Sequence, residues 1–193
     1  MAQPYSARSR AIEPFHVMAL LARANELQAA GHDVIHLEIG EPDFTTAEPI
    51  IKAGQAALSA GKTRYTAARG IPELRGAISG FYQQRYGLDI DPERIMITPG
   101  GSGALLLTSS LLVDPGKHWL LADPGYPCNR HFLRLVEGAA QLVPVGPDMR
   151  YQLTPDLVER YWDQDSVGAL VASPANPTLS LIHISEPTRL RRI

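Results

Sequence analysis

The chain has 193 residues, 45% of them apolar and 20% charged, with a formal charge of −2. That composition is typical of a folded globular chain and excludes fibrous, strongly polyionic and intrinsically disordered classes. Without clustered Lys and Arg it offers no electrostatic reason to expect a nucleic-acid or anionic-membrane partner.

Cys128 is the only cysteine, so no internal disulfide or paired-cysteine zinc site can form. The opening residues lack the apolar core of a signal peptide, and no apolar run approaches a membrane span. The expected compartment is the cytosol.

In chain order, apolar residues at helical spacing (Val17, Leu20, Leu21, Ala24, Leu27) predict a helix over Phe15–Ala30, closed by Gly31. Val34–Leu37 reads as a short extended segment before the turn Gly40–Asp43. Thr46 is placed to cap a helix over Ala47–Ala60, and Pro72 opens another that reaches Tyr86. From there strands and helices alternate. Strands are expected at Arg94–Thr98, His118–Ala122, Gln141–Val145 and Val167–Ala172, with helices at Ser102–Leu112, Tyr126–Glu137 and Pro155–Trp162. This alternation predicts an α/β fold with a mostly parallel sheet and flanking helices.

Residues Leu179–Ile193 (LSLIHISEPTRLRRI) carry three arginines against one glutamate and show neither helical period nor alternation. They resemble the translation of a sequencing adapter, and are expected to stand outside the fold.

Pro99, Gly100, Gly101, Ser102 and Gly103 precede an apolar helix. A glycine-rich turn opening a helix lets free backbone N–H groups and the positive helix end converge on a phosphate, with the Ser102 hydroxyl as an added donor. A dinucleotide fingerprint would need Gly or Ala where Leu106 stands, and a Walker loop ending at Thr63 would need Gly where Ala56 stands. A hydrolase elbow at Ser102 would need Gly in place of Ala104. Two further loops leave strand ends. Asp123–Pro127 brings Tyr126 to the sheet edge, where its ring could stack on a planar ligand, and Ser173–Thr178 brings the Asn176 amide there in an extended turn held by two prolines. The histidines and Cys128 show no metal-ligand spacing.

The segments LEIGEPDF, RYTAARGIPELR, TPGGSGAL, DPGYP and ASPANPT, in this order, resemble the aspartate-aminotransferase-like family of pyridoxal-phosphate enzymes (fold type I, class I and II aminotransferases) over residues 5–178. The resemblance implies a truncated cofactor-binding large domain over 46–178, preceded by an N-terminal arm and part of the small domain over 1–45. It implies that Gly101, Ser102 and Gly103 hold the phosphate of pyridoxal 5'-phosphate, that Tyr126 stacks on its ring, and that Asn176 hydrogen-bonds its phenolic oxygen. Tyr65 would reach the phosphate of a neighbouring subunit's cofactor in a homodimer, and Gly40, with Asn176, would face the substrate. The substrates implied are an amino acid and a 2-oxo acid.

The family's Schiff-base lysine, its acid at the pyridine nitrogen and its substrate-clamping arginine are expected beyond ASPANPT. Lys52, Lys62 and Lys117 lack the family's context, and Leu179 stands where the family has glycine. The chain is therefore expected to be an N-terminal half and inactive by itself. Two alternatives share its motifs: a carbon–sulfur lyase of the same fold and a non-catalytic aminotransferase-like sensor domain.

Overall fold

The computed structural model describes residues 5–13 and 16–182. The chain divides into two compact units, Phe15–Pro99 and Met1–Pro14 with Gly100–Ile193. Residues 183–193, most of the adapter-like segment, lie outside the described residues, as does Phe15 of the first predicted long helix; the described start of that segment, 179–182, does not stand outside the fold, since Ser180 bonds Gln152 at 2.8 Å and the Ile182 N–H donates to the Ser173 hydroxyl at 3.1 Å.

The sheet unit contains the short helix α1 (Ala7–Arg10), α5 (Gly100–Leu112), β1 (His118–Asp123), α6 (Cys128–Leu135), β2 (Ala139–Pro144), α7 (Pro155–Tyr161) and β3 (Ser166–Leu170). All strand pairs are parallel, in the order β2-β1-β3, with His118 opposite Ala139 and Leu121 opposite Leu170. The central strand is covered on both faces, which explains its unbroken apolar run. Trp119 and Leu121 join Val113 and Leu133 in one cluster; Leu120 joins Val143, Val145 and Leu153 in the other, over which Leu157, Val158 and Tyr161 of the α7 region pack. Leu120 and Val143 have no exposed surface. Thr154 caps α7 by accepting from the Leu157 N–H, so the Thr-Pro pair sets where that helix begins.

The other unit contains α2 (His16–Ala29), α3 (Glu48–Ser59) and α4 (Pro72–Tyr86). Helix α4 has the bounds its sequence predicts, from Pro72 at its first turn to Gly87, whose φ of +68° makes the left-handed stop. On α2, Val17, Leu21, Ala24 and Leu27 form a half-buried stripe, while Leu20 on its flank is exposed.

Three expectations are corrected, and one short segment is left outside the sheet. Thr46 does not cap α3: Ala47 occupies that position without a side-chain hydrogen bond, and Glu48 and Pro49 supply the favourable first turn instead. Val34–Leu37 joins no sheet among the described residues; His36 bonds Gln28 and Glu38 through its two ring nitrogens, at 2.9 and 2.6 Å. Arg94–Thr98 is likewise no strand. It begins in a 3-10 turn (Pro92–Arg94) whose carboxylate is clamped by arginines, and of its remaining N–H groups Ile97 donates to Arg69 outside any ladder. The sheet therefore has three described strands where four were expected. The loop at Asn176 is a closed turn and not extended: the Leu179 N–H donates to the Ala175 carbonyl at 2.7 Å and the Ala175 N–H to Ser180 at 2.9 Å.

Candidate active site

In the order β2-β1-β3, the chain moves from β1 to one side and returns to the other, so β1 and β3 flank the point where the winding reverses. Loops leaving the carboxyl ends of such strands diverge and leave a crevice. A cavity of about 480 Å³ occupies this edge. The β1 exit contributes Asp123–Pro127, and the β3 exit contributes Ala172 and Pro174–Asn176. Tyr126 and Asn176, predicted separately from two loops, thus line one cavity.

The turn after β1 requires glycine at position 125, because a Cβ there would lie 2.4 Å from the Ala122 carbonyl oxygen. That close approach brings the following Tyr126 back against the strand end. Its hydroxyl hydrogen-bonds with the Cys128 thiol, and this bond together with partial burial pushes the phenol above the ordinary tyrosine range. Tyr126 is therefore neutral at physiological pH, and its half-buried ring presents an uncharged face suited to stacking.

Gly101, Ser102 and Gly103 lie in the first turn of α5, not among the residues lining the cavity. Leu105 of the same helix does line it. Positions three and four apart share a helix face, so Gly101 and Ser102 lie on the face that Leu105 continues to the cavity wall. The space where a Gly101 Cβ would stand is open, and a helix opening at Gly100 leaves the Gly101 and Ser102 N–H groups without intrahelical acceptors. Gly40 and Tyr65 belong to the other unit; both are exposed, Tyr65 fully, and no Cβ contact would arise at Gly40.

Sequence reasoning missed the lining contributed by Tyr151, Gln152 and Leu153, and by Asn129 and Arg130. Arg130 also pairs with Glu13 at 3.1 Å. Gln152 is 6% exposed and follows two residues with left-handed backbone, Arg150 and Tyr151. Its signal was the helix cap just after it, which fixes the approach of this loop, but no motif marked the glutamine itself.

At the opposite sheet edge the His118 Nε2 lies 2.8 Å from the Ser166 hydroxyl and 3.2 Å from Asp163. Both partners meet the same ring nitrogen, so the group cannot act as a proton relay, which needs one partner on each nitrogen. Beside it, the Asp165 carboxylate accepts from Lys117 Nζ at 2.8 Å and holds the ammonium protonated to a higher pH than usual. Among the described residues no cluster of His, Cys, Asp or Glu is placed to hold a metal, and no helix is long and apolar enough to cross a membrane.

The description "Aminotransferase class I and II" matches residues 32–190. The chain belongs to the class I and II aminotransferase family. It is 39% identical to the valine–pyruvate aminotransferase of Mycobacterium tuberculosis, covering 89% of this chain and 44% of that protein. With the (5-formylfuran-3-yl)methyl phosphate transaminase of Methanocaldococcus jannaschii it shares 42% identity, over 86% of this chain and 42% of the relative. Its fold superposes on the aspartate aminotransferase of Thermus thermophilus solved with maleate, with a TM-score of 0.85 at 33% identity, over 91% of this chain and 46% of that one. The chain spans somewhat under half the length of these aminotransferases.

Pyridoxal phosphate is the cofactor expected of this family. The residues present fit two parts of it. The open first turn of α5 and the Ser102 hydroxyl suit a dianionic phosphate, and the Tyr126 ring and Asn176 amide, sharing one cavity, suit a planar ring bearing an oxygen acceptor.

Proposed function

We propose that the whole protein is a pyridoxal-phosphate-dependent aminotransferase of the cytosol that moves an amino group from an L-amino acid to a 2-oxo acid. The observation that carries this reading is the convergence of Tyr126 and Asn176 on one cavity at the reversal of the sheet, with the face of α5 leading to it. In this account Gly101, Ser102 and Gly103 bind the phosphate, the Gly101 and Ser102 N–H groups and the Ser102 hydroxyl donating to it. Tyr126 covers one face of the ring and excludes water from it; Asn176 donates its amide hydrogen to the ring oxygen and also faces the substrate. Gly40 leaves room for the substrate carboxylate, and Tyr65 completes the phosphate site of a second subunit in a homodimer. When bound, the cofactor supplies an electron sink for the electrons of the substrate's Cα–H bond.

We read residues 1–45 as an arm and part of a small domain, 46–178 as part of the cofactor-binding domain, and 179–193 as foreign to it in sequence, although its first residues fold back on it through Ser180 to Gln152 and Ile182 to Ser173. None of the three lysines is assigned to anchor the cofactor. A lysine acting as nucleophile and base needs a depressed pKa, whereas Lys117 is stabilised as a cation by Asp165, and none of the three lines the cavity. By this reading the 193-residue chain alone does not transaminate. The relatives' names cover valine, aspartate, prephenate and a furan phosphate, so the amino acid is left at the level of its class.

The product of the full coding sequence, loaded with pyridoxal phosphate, tests the reading. Stoichiometric conversion of an L-amino acid to its 2-oxo acid in a half-reaction is expected; pyruvate release from cystathionine without transamination would replace it with a lyase.

A further inference from the structure

We infer that Gln152 is a positioning residue for Asn176, holding the turn over residues 172–180 in the shape that presents the Asn176 amide to the cavity. The inference rests on the cofactor-site reading above, because it gives that amide a ligand to meet. Gln152 lies in the cavity wall, 6% exposed. Its Nε2 is 3.1 Å from the Ala172 carbonyl, where the chain leaves the strand, and 3.2 and 2.8 Å from the Ser180 carbonyl and hydroxyl, where the turn ends. A single buried NH2 group therefore ties both ends of the nine-residue turn.

The turn's own closures converge on the same points. Ser180 accepts the Ala175 N–H, and its hydroxyl lies 2.9 Å from that of Thr178. The loop delivering Gln152 is fixed in turn: the Tyr151 N–H donates to the Gly146 carbonyl at 2.9 Å and the Gln152 N–H to Met149 at 3.1 Å, through two successive left-handed residues. Non-glycine residues persist in that conformation only where their surroundings hold it. Chemistry selects a carboxamide here. A glutamate would set an anionic acceptor against the Ala172 and Ser180 carbonyls, and a leucine would fill the volume while taking the side-chain donor from the Ala172 carbonyl and leaving the Ser180 carbonyl only the Ala175 N–H.

The test compares the 193-residue chain with Q152L, Q152E, N176A and the double variant Q152L/N176A, by amide hydrogen exchange and by affinity for pyridoxal 5'-phosphate. In Q152L the Ala175 and Leu179 amides are expected to exchange about ten-fold faster while those of β1 and β2 keep their protection. Should Q152L fail to fold, seen as lost protection in β1 and β2, Q152E carries the same measurement. Q152L and N176A are each expected to weaken pyridoxal phosphate binding by roughly five- to ten-fold, with no further loss in the double variant, because one acts through the other. Unchanged exchange in the turn, or losses that multiply in the double variant, overturns the inference. Absence of saturable binding to the unmodified chain overturns the cofactor-site reading instead, and the exchange rates then still decide whether Gln152 holds the turn.

Discussion

The two units are held together by different physics. Every buried apolar residue among the described positions belongs to the sheet unit: Trp119, Leu120 and Leu121 of β1, Val143 and Val145 at β2, Val113, Leu133 and Leu153. In Phe15–Pro99 the one buried residue described is a cation, Arg75. Its Nη1 donates to the Pro92 carbonyl at 3.0 Å and to Glu93 at 2.8 Å, while Arg69 takes the other Glu93 oxygen and the Glu93 carbonyl. One region is a hydrophobic core closed on both faces of a sheet; the other is a set of helices with a polar clasp and half-covered stripes. The candidate cofactor cavity lies in the first, where a packed core can hold loops at fixed positions.

This contrast is sharpest in core truncation. Leu120→Ala removes a side chain with no exposure from the central strand and is expected to lower stability by about 2–5 kcal/mol in denaturant unfolding. Leu58→Ala on α3, 68% exposed, is expected to change it by less than about 0.5 kcal/mol. Comparable losses at the two sites would mean that the helical unit has a core of its own.

The clasp is tested by Arg75→Met, which keeps much of the apolar stem and removes the donors to Pro92 and Glu93. Amides of the 92–95 turn are expected to exchange about ten-fold faster, with β1 unaffected.

A smaller effect of opposite sign is expected at Leu179, which holds a φ of +57° and is exposed. The left-handed region disfavours a Cβ, so Leu179→Gly is expected to stabilise the Asn176 turn by about 1 kcal/mol, read as a rise in the midpoint of the sheet unit.

The smallest effect concerns pH. The two arginines hold the Glu93 carboxyl below the ordinary glutamate range. A depressed folded-state pKa contributes stability above the unfolded value and loses it as pH falls, so the clasp weakens below about pH 4.3. Thermal melts from pH 7 to 3 should therefore fall more steeply for the unmodified chain than for Glu93→Gln; parallel curves would show that the clasp contributes nothing.

Sequence legibility followed local signals and not the division between the units. Helix α4 and strand β1 were readable because proline, glycine and an unbroken apolar run mark local choices that packing then reinforces. The strand expected at Arg94–Thr98 failed because its apolar residues promise an extended backbone, while a ladder needs a partner that local sequence cannot name. Thr46 failed by one position, since Glu48 and Pro49 made an alternative start equally favourable. At the cavity, Tyr126 and Asn176 were legible from loops that leave strand ends. Gln152 was not, because its role depends on where Ala172 and Ser180 fold and not on its neighbours in sequence.

The most direct test of the cofactor site is one titration, the 193-residue chain with pyridoxal 5'-phosphate followed by backbone amide NMR and by borohydride reduction with peptide mapping. Weak, saturable shifts centred on Gly101, Ser102, Gly103, Tyr126 and Asn176, with no lysine labelled, are the predicted result. Saturable shifts elsewhere with these five unmoved, or stoichiometric label on Lys52, Lys62 or Lys117, would contradict it.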